Sequence, residues 1–180
     1  MRSMFMDTTG TGFTLAFGDG GGYREIRDGS ARQTDRIFGA IKGVDVSALD
    51  FMVVMAGPGS FTGIRLGLAI AKGFRLAAKV PVAAISNFYG VFLSAGRGGR
   101  ICIPAGSGEF FSCDLDYAGK AVSRPRLSDE DDGFCVPLDP EKILAAMEAR
   151  GVPGDAPIEP AYVRPHYAKT SCEKARIRLE

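Results

Sequence analysis

The stretch FMVVMAGPGSFTGIRLG, residues 51–67, decides the fold of this chain. Its first six residues are all apolar, which predicts a β-strand buried on both faces. Three glycines follow, and the pattern beyond them predicts a helix from about Thr62 to Lys79, ended by Pro81. A strand, a glycine-rich turn and a helix together place backbone N–H groups where anions often bind.

The glycine-rich turn nevertheless lacks the residues of the common phosphate-binding motifs. A P-loop requires Lys and then Ser or Thr after its last glycine, whereas Ile64 and Arg65 follow Gly63. The dinucleotide motif requires a glycine where Thr62 stands. Ser60 or Thr62 is instead suited to cap the helix by accepting hydrogen bonds from its first N–H groups. We therefore expect a capped helix start rather than a phosphate cradle.

The predicted helix has two apolar sides, formed by Leu66, Ile70 and Ala77 and by Ile64, Leu68, Ala71 and Ala78. Its basic residues share one stripe: Arg65, Lys72, Arg75 and Lys79. Since a surface helix needs one apolar face, we expect the second to pack against another protein, with burial wholly inside this chain as the alternative. Gly67 and Gly73 each cost about 1 kcal/mol of helix propensity relative to Ala, so a close contact is expected at both.

Further elements are predicted on both sides of this stretch. In the first half we expect three antiparallel strands, at 3–7, 12–17 and 23–27, followed by a capped helix between Ser30 and Gly43. After the stretch at 51–79 we expect a buried strand at 82–85 and a helix at 87–95. In the second half we expect three strands and a helix, at 100–105, 110–116, 121–127 and 140–150. Two lobes are therefore predicted, residues 1–97 and 98–180, the second ending in an extended proline-rich tail.

The composition is that of an ordinary globular protein and excludes several classes. The 180 residues carry a net charge of +1, whereas a protein that binds nucleic acid by itself usually has an excess of basic residues. The four cysteines form no C-x-x-C pair, which argues against a zinc site or a disulfide framework and fits a reducing compartment. Neither a signal peptide nor a membrane span is predicted, so a cytoplasmic protein is expected. The acidic run at 129–132 is expected to be a solvated loop rather than a cation site.

Residues 56–67 resemble the signature of the TsaB family, also called YeaZ, which reads GPGSFTGLRIG in typical members. Supporting likenesses lie at Asp7-Thr8-Thr9, at residues 80–86, at Glu109-Phe110-Phe111 and in the EPAYVRP segment, residues 159–165. The predicted order β-β-β-α-β-α-β-α is also that of a ribonuclease-H-like half-domain. The resemblance implies an α/β protein of the actin-like ATPase (ASKHA) fold, with a complete first lobe and a shortened second lobe.

Members of this family are pseudoenzymes, so the resemblance implies a subunit without activity of its own. It implies a partner in the synthesis of threonylcarbamoyladenosine at position 37 of tRNA, pairing with the catalytic subunit TsaD and with the ATPase TsaE. Contact with tRNA would come only through that complex, and the chain alone would form a homodimer. No cofactor is firmly expected, although ATP or ADP at the interface with the partner is compatible with the family.

The resemblance also suggests which residues act. Docking through the first two helices is expected to involve Ile37, Phe38, Ile41, Gly63, Leu66, Gly67, Ile70 and Gly73. A vestigial nucleotide site is expected at Asp7, Thr8, Thr9, Gly57 and Gly59. The catalytic relative binds metal through an H-x-x-x-H pair, whereas this chain has only His166 in its tail, so neither a metal site nor a catalytic residue is predicted. The chain departs from the family at Ala105-Gly106-Ser107, where members commonly have Asp-Ala-Arg.

A second function from a different class stays open. An autonomous ATPase or small-molecule kinase of the same fold would hold phosphate or magnesium near Asp7, Thr8 and Thr9. Such an enzyme needs a second competent lobe, and the second lobe here is short. A peptidase is disfavoured, because Ser60 has no histidine in the first lobe to activate it.

Overall fold

The computed structural model describes residues 1–29 and 33–163. In the first half, five strands alternate with three helices and one short 3-10 helix: β1 Ser3–Asp7, β2 Phe13–Gly18, β3 Tyr23–Asp28, α1 Gln33–Ile41, the 3-10 helix Val46–Ala48, β4 Phe51–Met55, α2 Phe61–Ala78, β5 Val82–Ile85 and α3 Asn87–Ala95. The second half contains β6 Gly99–Gly106, β7 Glu109–Leu115, β8 Arg126–Ser128 and α4 Pro140–Arg150. The predicted element order is confirmed; the expected cap of α1 at Ser30 lies outside the described residues.

The larger sheet has five strands in the order β3-β2-β1-β4-β5. Strands β1, β2 and β3 form the predicted antiparallel meander, while β4 pairs parallel with both β1 and β5. The carboxyl ends of β1, β4 and β5 therefore lie at one edge of the sheet. The chain segments that follow these strands begin at Thr8, Ala56 and Ser86, and they meet there.

Both faces of this sheet are covered, which explains the continuous apolar run of β4. On one face, Met4, Met52 and Val54 pack with Ile37 of α1 and with Ile64 of α2. On the other face, the core contains Phe5, Val53 and Met55 with Ile143, Leu144 and Met147 of α4. Helices α1 and α2 thus share one side of the molecule, opposite α4.

The smaller sheet has three strands in the order β6-β7-β8, all antiparallel. Its apolar side packs on α3 through Phe88, Val91 and Phe92. The third predicted strand, 121–127, is wrong in extent: only Arg126–Ser128 is a strand, and Ala121 makes an isolated bridge to Leu115. Gly119 and Lys120 complete a turn closed by Asp116, so the chain leaves the sheet before it returns as β8. The lobe boundary between residues 97 and 98 stays a prediction.

Candidate functional site

A hydrogen-bonded network joins the ends of β1, β4 and β5. The Asp7 carboxylate accepts hydrogen bonds from the Thr9 N–H (2.8 Å) and the Thr9 hydroxyl (2.7 Å). The Asn87 side-chain amide donates to Thr9 Oγ1 (2.6 Å), and its oxygen accepts from the Gly57 N–H (3.2 Å). Four residues from three strand ends are therefore linked to one another.

Helix α2 begins in direct contact with this network. The Thr8 hydroxyl donates to the Gly63 carbonyl (2.7 Å), and Ser60 caps the helix by accepting from the Gly63 N–H (3.2 Å). The Ser60 N–H in turn donates to the Thr9 carbonyl (2.7 Å). A Cβ on Gly59 would lie 2.4 Å from that same carbonyl oxygen, so a glycine is required where the signature turn meets the end of β1.

The Asp7 carboxyl group is placed so that its charged form is disfavoured. Burial raises its pKa above the ordinary value of 3.8, and this effect outweighs the Thr9 hydrogen bonds and the positive charge of Arg27, which act in the opposite direction. A cavity of about 210 Å³ opens beside it, lined by Asp7, Gly10, Gly12, Phe13, Thr14, Arg27, Asp28 and Gly29. That volume is below the roughly 300–1,000 Å³ of ordinary ligand pockets.

The predicted vestigial nucleotide residues are thus brought together, and the structure gives them internal partners. Asp7, Thr8, Thr9 and Gly57 each bond within the network or to α2. A magnesium-phosphate site needs an ionised carboxylate, and the burial of Asp7 acts against ionisation. Nucleotide binding at this edge stays a prediction.

The C-terminal tail segment packs against the signature turn. The Ala161 N–H donates to the Ala56 carbonyl (2.8 Å), and the Tyr162 ring stacks on Phe61 with centroids 5.4 Å apart. The Arg65 guanidinium lies 3.8 Å from the centroid of the Phe61 ring. Two segments that resemble the same family, residues 56–67 and 159–165, therefore touch each other in space, although Arg164 and Pro165 lie outside the described residues.

Four of the predicted docking residues lie inside the chain, and their docking role stays a prediction. Ile37, Gly63, Gly67 and Ile70 are buried inside the chain. A Cβ on Gly67 would lie 2.5 Å from Thr8 Oγ1, so the close contact expected at this glycine exists, but with the chain's own β1 segment.

The other four predicted docking residues are wholly or partly accessible. Ile41 and Leu66 are half-buried, Gly73 is exposed, and Phe38 is 53% exposed. A Cβ on Gly73 would meet no atom within 4 Å, so the contact expected there is absent from the described part of this chain.

Three relevant residues were not predicted as site residues from the sequence. Leu76 is 76% exposed on the outer side of α2 and lies between Lys72 and Lys79 of the basic stripe. Arg75 donates from its guanidinium to the carbonyls of Ala156 (2.6 Å) and Val82 (2.7 Å), and so ties the tail and the start of β5 to α2. Asn87 could have been found, because a polar residue directly after a buried parallel strand lies at the edge where strand ends meet.

The comparisons with known proteins fit this geometry. A family model described as TsaD, tRNA N6-adenosine threonylcarbamoyltransferase, matches residues 34–122, just under half of the chain. The chain is 44% identical over 48 residues to the tRNA threonylcarbamoyladenosine biosynthesis protein TsaB of Haemophilus influenzae, and 38% identical over 45 residues to TsaB of Escherichia coli. Over these short segments the chain is similar to members of the TsaB (YeaZ) family. These matches cover 27% and 25% of this chain, and only 20% of the length of each curated relative.

Two solved structures establish the fold over most of the chain. YeaZ from Pseudomonas aeruginosa matches with a TM-score of 0.68 at 17% identity, covering 89% of this chain and 99% of that one. A crystal structure of an uncharacterized protein with similarity to peptidase YeaZ from the same organism gives 0.64 at 18% identity, covering 91% and 99%. At these identities the likeness concerns the fold alone, which is the actin-like ATPase fold that the sequence predicted.

Two further observations concern metals and membranes. Across residues 1–29 and 33–163, no three His, Cys, Asp or Glu side chains are grouped closely enough to hold a metal ion. His166 lies outside that part of the chain. No helix there combines the length and the hydropathy needed to cross a bilayer.

Proposed function

We propose that this chain is a non-catalytic partner subunit in the synthesis of threonylcarbamoyladenosine at position 37 of tRNA, and that it docks the catalytic subunit TsaD. The names of the curated relatives, tRNA threonylcarbamoyladenosine biosynthesis protein TsaB, support the pathway. One structural observation supports the non-catalytic role: the polar groups at the strand ends bond to one another and to α2. They hold a helix in place.

The proposed docking surface is the outer side of α1 and α2, defined here by Phe38, Leu66, Gly73 and Leu76. Phe38 and Leu76 are two of the few large apolar residues that are more than half exposed in the described part of the chain. Both helices cover the same face of the sheet, so one partner can contact both. Gly73 leaves room for close approach, because no atom of the described chain lies within 4 Å of the position of its Cβ.

The remaining components of the proposal follow from the family. TsaE joins the complex, tRNA is reached only through it, and the chain alone forms a homodimer through the same helices. If ATP or ADP takes part, it does so at the interface with the partner rather than in the small cavity beside Asp7. No membrane association is proposed.

The test is Leu76→Glu, with Val122→Glu as a matched control. Val122 is 65% exposed in the second half of the chain, so both substitutions place a carboxylate on an exposed apolar position. We expect Leu76→Glu to abolish co-elution with TsaD from the same organism and to remove threonylcarbamoyladenosine from tRNA nucleosides, measured by mass spectrometry in a complemented depletion strain. Val122→Glu should behave as the wild type. Normal modification with Leu76→Glu, or a wild-type chain that fails to bind TsaD, would refute the docking role.

The alternative is an autonomous ATPase or kinase, which the cavity beside Asp7 and Arg27 favours. It predicts that the purified chain hydrolyses ATP and that Asp7→Asn abolishes the hydrolysis. Under the docking proposal, neither the wild type nor Asp7→Asn has such activity.

A further inference from the structure

The charged residues of α2 are all basic. Residues 51–108 contain six basic residues and not one Asp or Glu, although the whole chain is almost neutral. Four of the six lie on α2 or at its C-terminal cap: Arg65, Lys72, Arg75 and Lys79. A charge imbalance of this kind is confined to the segment that contains the proposed docking helix.

Several cations outside α2 have an acidic partner, whereas the four of α2 have none among the described residues. Elsewhere in the described residues, ion pairs link Arg36 with Asp28, Arg100 with Asp114 and Lys142 with Asp139. Within that part of the chain, no carboxylate pairs with any of the four cations of α2.

Two of the four have an internal role, and two do not. Arg75 is bonded to the Ala156 and Val82 carbonyls, and Arg65 lies on the Phe61 ring. Lys72 and Lys79 are exposed, and neither side chain is hydrogen-bonded to the described chain. The helix dipole favours a cation in the last turn, which accounts for Lys79 but not for Lys72, well before the helix end.

The two lysines flank an apolar position. Lys72 and Lys79 are seven residues apart, so they stand about two turns, roughly 10 Å, apart along the helix axis. Leu76 lies between them, and beside it a cleft of about 530 Å³ is lined by Lys72, Arg75, Leu76, Lys79, Gly154 and Ile158. No acidic residue lines this cleft.

We propose, building on the docking role above, that the partner segment covering α2 is acidic and amphipathic. Its carboxylates lie opposite Lys72 and Lys79, and its apolar side chains enter the cleft against Leu76 and Ile158. A second copy of the chain pairs here less favourably than an acidic segment, because α2 facing α2 across a two-fold axis brings lysines together. The charges therefore favour the acidic partner over the homodimer that forms in its absence.

The test compares two double charge reversals that change the net charge equally. Lys72→Glu/Lys79→Glu alters the proposed contact, and Lys120→Glu/Arg124→Glu alters exposed cations in the second half of the chain. Affinity for TsaD from the same organism is measured by titration calorimetry at low and high salt. Because exposed charges are screened by salt, we expect Lys72→Glu/Lys79→Glu to weaken binding about ten-fold or more at 0.05 M salt and about three-fold or less at 0.5 M. The control should stay within about two-fold at both.

Each outcome separates the two proposals. If the wild type does not bind TsaD, the docking role itself fails. If the wild type binds, the docking role survives. The acidic partner segment is then refuted if Lys72→Glu/Lys79→Glu binds as tightly as the control, or if its binding is weakened equally at both salt concentrations. A parallel titration with tRNA alone supplies the third arm. Binding of tRNA that the Lys72→Glu/Lys79→Glu reversal removes, with TsaD affinity unchanged, would identify a phosphate-binding surface and overturn the proposal.

Discussion

Gly67 and Gly73 occupy the same helix, and replacing each by Ala should change stability in opposite directions. Ala is favoured over Gly in a helix interior by about 1 kcal/mol. At Gly73 nothing opposes this gain, since no atom lies within 4 Å of the added Cβ. At Gly67 the Cβ would lie 2.5 Å from Thr8 Oγ1 and 3.4 Å from Val54 Cγ2. The first distance is too short for a non-bonded contact between carbon and oxygen, so Thr8 must move.

The cost at Gly67 follows from what holds Thr8. Its buried hydroxyl donates to the Gly63 carbonyl at 2.7 Å, and moving it away leaves buried polar groups unpaired at about 1–3 kcal/mol. Overpacking of the surrounding core adds about 1–3 kcal/mol. After subtracting the helix-propensity gain, we expect Gly67→Ala to lower the free energy of unfolding by about 1–5 kcal/mol. Gly73→Ala should raise it by about 0.5–1 kcal/mol.

Urea denaturation followed by circular dichroism measures both changes. In thermal unfolding of a chain of this length, the melting temperature should fall by about 2–20 °C in Gly67→Ala and rise by about 1–4 °C in Gly73→Ala. The double variant Thr8→Ala/Gly67→Ala should recover most of the loss, because the obstructing hydroxyl is gone. Equal stability of the two single variants, or no recovery in the double variant, would refute the interpretation that Gly67 exists for contact with Thr8.

Two further stability predictions concern the residues that hold the strand ends and the tail. Burial raises the pKa of Asp7 in the folded state. The contribution of the Asp7 carboxyl group to folding stability is therefore complete below its unfolded pKa and is lost as pH rises through its folded pKa. Asp7→Asn should therefore gain stability relative to the wild type between pH 4 and pH 8, measured by thermal unfolding; a constant difference would contradict this. Arg75→Met removes two hydrogen bonds from a charged donor and should cost about 2 kcal/mol. The exposed control Lys72→Met should stay within about 0.5 kcal/mol, and equal losses would disprove the role of Arg75.

The local elements were predictable because each has a clear pattern of its own. The all-apolar run at 51–56 and the glycine-rich turn after it became β4 and the start of α2 as expected. Asp139, Pro140 and Gly151 bound α4, where Asp139 accepts from the Lys142 N–H. Strand β8 was predicted too long, because residues 121–125 alternate weakly and no partner strand continues beside them.

The candidate site was less predictable, because the residue types of α2 do not reveal which surface packs against each side of the helix. Small residues at spacing four indicate close approach, yet they do not say whether a partner helix or the chain's own sheet approaches. The same holds for Ile70, whose apolar side chain fits an interface or a core equally well, and which lies in the core. A spacing pattern carries no information on strand order, and strand order is what places Thr8 beneath Gly67.

The signature therefore acts in the first place on its own chain. Gly59 admits the Thr9 carbonyl, Gly67 admits the Thr8 hydroxyl, and Ala56 receives the tail through Ala161. Each contact fixes the position of α2 relative to the sheet, and none uses the outer side of the helix. A binding surface gains affinity when it is rigid before the partner arrives. The inward residues of the signature would then influence docking only by positioning α2, so that Gly67→Ala should weaken TsaD binding in proportion to its loss of stability, whereas Leu76→Glu should weaken it with stability unchanged.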